Sequence, residues 1–142
     1  MMTANIFVQD MDSREALLCA RLNLGGAKRL LQKGSLKPGV TALYDSVLFG
    51  MHYSIACRPD FAEVDLADAA SVFHRLASEA VFEDPHAFNR LSLAVERVLW
   101  QGSDCVDINE IVMEAEVMLK RLGVTTFDGY TRSRQKEGDA YS

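Results

Sequence analysis

Apolar positions along the chain recur by threes and fours, and no stretch alternates with the period of two that marks a half-buried strand. From Asp12 or Ser13, either able to cap a helix, Ala16, Leu17, Ala20, Leu24, Ala27, Leu30 and Leu31 build one apolar face, with Arg14, Arg21 and Lys28 opposite. Gly34 is placed to end this first helix. Gly25-Gly26 is its weak point, which either close packing or a bend must accommodate. Pro38 suits the first turn of a second helix running to about Cys57. Its apolar face holds Leu43, Val47, Met51 and Ile55, widened by Leu48. A second row, Ala42, Ser46, Gly50 and Ser54, repeats every four residues, and its small side chains let another helix come close. A helix packed on more than one side is the central one.

Arg58-Pro59-Asp60 breaks the pattern, because the residue before proline is pushed out of the helical region. A third helix starts near Asp65 and buries Leu66, Ala69, Ala70, Phe73, Leu76, Ala77 and Ala80. Asp84-Pro85 opens a fourth, with Phe88, Leu91, Ala94, Val95, Val98 and Leu99 inward and an end near Trp100. Asp107, with Glu110 three residues on, is close to a capping box and opens a fifth. That helix carries Ile108, Ile111, Val112, Ala115, Met118, Leu119 and Leu122 inward and stops at Gly123. Residues 1–11 form a short lead-in, and after Val124 the periodicity ends. Residues 125–142 therefore read as a polar, mobile tail with Phe127 and Tyr130 as anchors. The expectation is all-α: an up-and-down bundle of about five helices filling residues 1–124 as one domain.

A length of 142 residues suits one domain with a real core, and 49% apolar with 25% charged residues excludes neither enzyme nor binding module. No apolar run approaches the roughly 18 residues that cross a bilayer, and the first residues lack the basic start of a secretory signal. The expectation is a cytoplasmic protein with no membrane role. Cys19, Cys57 and Cys105 are widely spaced, with no CxxC pairing, and read as buried reduced thiols. A formal net charge of −5 argues against holding nucleic acid by bulk charge, but leaves room for a local basic patch.

Within this frame Ala27-x-x-Leu30-Leu31-x-x-Gly34, followed by Ala42-x-Tyr44-Asp45-x-x-x-Phe49 and Ile55-Ala56, resembles the first two helices of HEPN-type domains. Glu114-Ala115-Glu116-x-x-Leu119 resembles that family's closing helix. The resemblance covers about a third of the chain. It implies an all-helical bundle, commonly a homodimer, in a family that includes RNA-cleaving toxins, nucleotide-binding modules and accessory units beside nucleotidyltransferases. Catalytic members carry an Arg followed four to six residues later by a His on a late helix. None of His52, His74 and His86 has an Arg at that distance upstream, so the resemblance implies the fold and not the nuclease.

Asp45 and His52 lie seven apart, two turns along nearly one face of the second helix, flanked by Tyr44 and Tyr53. Such a pair could hold a metal or share a proton if another helix brought further groups; a polar edge on a packed helix is the commoner explanation. Glu83-x-x-His86 has the spacing of bundle di-iron sites, but Pro85 puts a helix start between the two. His74 and Glu79 face different sides, and Ser46 as a nucleophile has no base and orienter. Arg21, Lys28, Arg29, Lys33 and Lys37 gather toward the end of the first helix, as a solvated face at its negative pole or as a phosphate-binding patch. Gly25-Gly26 is no phosphate loop, since no strand precedes it.

The resulting expectation is a non-catalytic, HEPN-like module with no cofactor and no resident metal, binding RNA, a nucleotide or a partner protein such as a nucleotidyltransferase. Its binding residues would be Arg21, Lys28, Arg29, Lys33, Lys37, Tyr44, Asp45 and His52. A homodimer would form through Ala42, Ser46, Gly50 and Ser54, with packing inside the bundle as the alternative use of that row. Two further classes stand beside it: a structural homodimeric module without a nucleic-acid role, and a metal-dependent enzyme centred on the second helix.

Overall fold

Asp12 begins the first helix as the spacing predicts. Its carboxylate accepts from the Glu15 N–H at 2.8 Å while the Glu15 carboxylate accepts from the Asp12 N–H, a complete capping box. The computed structural model describes residues 12–57, 69–79, 81–82, 84–101 and 106–124, and five helices account for most of them. They are α1 (Ser13–Gln32), α2 (Leu36–Ala56), α3 (Ala69–Ser78), α4 (Ala87–Gln101) and α5 (Ile108–Arg121), with no strand among the described residues. The all-α bundle is thus the observed fold. The lead-in over residues 1–11, the start near Asp65, Leu66, Ala80, Cys105 and the tail over 125–142 lie outside the described residues.

Helix ends follow backbone chemistry visible in the sequence. Gly34 (φ +84°) and Gly123 (φ +89°) take the left-handed conformation that closes α1 and α5. In each, the next residue's N–H reaches back to a last-turn carbonyl, Ser35 to Leu30 and Val124 to Leu119, both at 2.9 Å. Asp107 caps α5 by accepting from the Glu110 N–H. α4 starts slightly later than Pro85 suggests: the Asp84 carboxylate accepts from the His86 N–H at 2.8 Å, and regular helix begins at Ala87.

α2 is the centre of the molecule and packs against α1, α3, α4 and α5. Val40, Leu43, Val47, Leu48, Met51 and Ile55 are all buried, so the helix is apolar on nearly every side, as a core helix must be. α3 contributes Phe73 and Leu76, and Phe73 stacks on Phe82 (centroids 4.9 Å apart) and Phe88 (5.3 Å).

The small-residue row has two uses inside this chain. Ser46 is buried and its hydroxyl donates to the Ala20 carbonyl of α1 at 2.8 Å. Gly50 lies under α5: a Cβ there would stand 2.8 Å from Leu119 Cδ2 and 3.2 Å from Leu122 Cδ1. Packing within the bundle therefore accounts for Ser46 and Gly50, while Ser54 is buried and Ala42 half-buried. At Gly25-Gly26 one of the two expected accommodations drops out. α1 runs through both, yet a Cβ on Gly25 would meet nothing closer than the Arg29 guanidinium at 3.5 Å, so close packing is not what accommodates them. The close α1–α2 approach sits at Gly39 instead, where a Cβ would stand 2.6 Å from Leu31 Cδ2 and 3.3 Å from the Leu31 backbone nitrogen.

Candidate functional site: the α4–α5 face

The sequence-derived candidates do not gather into one site. His52 is 2% exposed, in the middle of the bundle, where a ligand in solution does not reach it; Asp45 and Tyr44 are half-buried. Among the described residues Nδ1 of His52 meets no hydrogen-bonding group, although the residue takes part in another interaction. Tyr44 is held at the α2–α4 seam, its ring 5.6 Å from that of Phe88 and its hydroxyl hydrogen-bonded to Ser92. Burial raises the Tyr44 phenol above its ordinary pKa, with Asp45 and Glu96 adding to the rise, so it stays protonated at neutral pH and is no ready base.

The basic residues also part company. Lys28 forms an ion pair with Glu116, tying α1 to α5. Arg21 faces Tyr53, whose phenol is raised first by burial and then by Cys57 while Arg21 opposes the rise. Arg29, Lys33 and Lys37 are exposed at the α1–α2 corner, and at 1.5 Å per residue Lys33 lies roughly 18 Å along the axis from Arg21. His74 and His86 are exposed on α3 and before α4, and no group of three metal-ligating side chains exists among the described residues.

What the structure does assemble is a groove between α4 and α5. The two helices run antiparallel: Arg90, early in α4, hydrogen-bonds Glu114 in mid-α5 through Nε at 2.9 Å. The same guanidinium pairs with Asp84 at 2.6 Å, which holds the Asp84 carboxyl below the usual carboxylate range. Beyond this clasp opens a hollow of about 340 Å³ lined by Leu93, Ala94 and Arg97 of α4 and by Val106, Asp107, Glu110 and Ile111. A second hollow shares Asp107, Glu110 and Glu114 and extends to Met113 and Val117.

Leu93 lines the first hollow and Met113 and Val117 the second, and all three are exposed apolar side chains, as is Trp100 two turns along α4 from Leu93. Trp100 is 84% exposed, Met113 64%, Val117 61% and Leu93 54%. On α4, Leu93 and Trp100 are seven apart and so nearly in line; on α5, Met113 and Val117 are four apart. The sequence held a signal for them: each is an apolar residue left over after the periodic faces of its helix are assigned. Leu18 and Leu22 form a similar exposed pair on α1.

No helix among the described residues is long and apolar enough to cross a membrane. Comparisons with protein-family models, with curated proteins and with solved structures found no match for this chain.

Proposed function

We propose that the chain is a binding module that works through protein–protein contact, docking a partner on the α4–α5 face. The observation that supports this is the exposed apolar surface along α4 and α5: Leu93 lines the hollow between the two helices, Met113 and Val117 line the adjoining hollow on α5, and Trp100 stands two turns beyond Leu93 on α4, each more than half exposed. Contiguous apolar surface rimmed by polar side chains is what interaction sites carry, and an exposed tryptophan is a frequent anchor of binding energy. The HEPN-type resemblance of α1 and α2 fits a module of this kind, with an accessory role beside an enzyme such as a nucleotidyltransferase.

A comparative retention assay tests it. The full chain and two variants are immobilised in parallel: Leu93→Gln/Met113→Gln/Val117→Gln on the groove, and Arg29→Ala/Lys33→Ala at the α1–α2 corner. A protein partner held by the parent and by the corner variant but lost by the groove variant supports the proposal. Loss only with the corner variant, or salt-dependent retention of RNA or nucleotide through it, favours the phosphate-binding alternative carried by exposed Arg29, Lys33 and Lys37.

A further inference from the structure

We infer that the occupant of the α4–α5 groove is an amphipathic α-helix of a partner protein, with Lys or Arg along the edge that faces α5; this rests on the docking function proposed above. Shape comes first. Both walls of the groove are helices clasped by Arg90, Asp84 and Glu114, and the described residues offer no strand edge to which an extended peptide could add. A helix satisfies its own backbone and needs only side-chain contacts, which this groove supplies. Leu93 and Trp100 are about 10 Å apart along α4, two turns, the span over which a docked helix presents apolar residues at i, i+3 or i+4, and i+7.

Charge then sets the partner's chemistry. The Arg90 charge is already met by Asp84 and Glu114. On the α5 side Asp107 and Glu110 are exposed, and neither forms an ion pair among the described residues. On the α4 side Arg97 is exposed and likewise forms none, so that wall repels a cation. A docked helix with basic residues toward α5 meets unlike charge there, whereas an acidic edge in that place would face Asp107 and Glu110 and be rejected.

Trp100, the single tryptophan, stands two turns beyond Leu93 on α4 and serves as the fluorescence reporter for a helix lying along that face. The full chain is titrated with two synthetic helical peptides that share one leucine stripe and differ only in lysine or glutamate flanks; a scrambled lysine peptide without the stripe is the control. The lysine peptide should shift Trp100 emission to shorter wavelength and bind about fivefold more tightly than the glutamate peptide, with affinity falling as salt rises. Glu110→Lys should weaken it about fivefold. Glu110→Gln, a gentler change to the first turn of α5, should cost about half that effect on a logarithmic scale, with the circular-dichroism melt of each variant confirming a folded chain. Equal binding of both peptides, unmoved by Glu110→Lys, overturns the charge assignment while leaving the docking face standing; no emission change with either peptide overturns the helix assignment. Emission from the protein alone that is already shifted means a filled groove, by a second copy if dilution reverses the shift and by the chain's own residues if it does not, and either outcome overturns the inference.

Discussion

The α1–α2 pair and the α4–α5 pair are both antiparallel helical hairpins, and they meet along their seams in different ways. α1 and α2 touch backbone to side chain at Gly39 and through the Ser46 hydrogen bond to Ala20, and α2 is buried along almost its whole length. α4 and α5 contain no glycine; long charged side chains, Arg90 and Glu114, bridge them, and a groove remains with Trp100, Met113 and Val117 outside. Small residues let helices close, and bulky charged bridges hold them apart. The first hairpin therefore closes tightly along its seam, and the second leaves a hollow along its own.

The largest effect should come from overfilling the closed side. Gly50→Leu places a branched side chain where even a Cβ would stand 2.8 Å from Leu119 Cδ2. It should cost about 3 kcal/mol or more, read as a lower urea midpoint or as failure to fold. Gly39→Ala is smaller in volume but meets the Leu31 backbone as well as its side chain, and should lose about 1–3 kcal/mol in the same measurement. Gly25→Ala should have the opposite sign. Its Cβ points into space limited only by the Arg29 side chain, so the gain in helix propensity, about 0.5–1 kcal/mol, appears as a higher midpoint.

On the open side, the Arg90 clasp links stability to pH. Asp84 is held below its ordinary pKa first by the hydrogen bond from Arg90 and then by the His86 N–H. Its contribution is present above the unfolded carboxylate pKa and disappears as pH falls through the lower folded value. Asp84→Asn should flatten the pH dependence of unfolding in that acidic window, and raised salt should shrink the same difference, since the pair is on the surface.

Much of this division was legible in the sequence. The capping residues Asp12 and Asp107, the terminal glycines Gly34 and Gly123, and the apolar faces of α1, α2, α4 and α5 act locally, so spacing alone located them. Which glycine brings α1 against α2 was not legible, because Gly25-Gly26 and Gly39 differ only in what the partner helix places opposite them. His52 looked like a site residue because a lone helix shows which face a side chain takes but not whether another helix covers it. The groove on α4 and α5 needs two helices in register, which no pattern within one helix specifies. Its apolar rim was visible only as residues outside the assigned faces.

Urea unfolding of the full chain carrying Leu93→Gln, Trp100→Gln, Met113→Gln and Val117→Gln together tests the open α4–α5 face most directly. Glutamine keeps helix propensity while removing the apolar surface, so an open face predicts an unfolding free energy within about 1 kcal/mol of the parent. A loss of about 3 kcal/mol or more would mean that these side chains are packed in the folded protein, and would contradict the assignment of this face to docking.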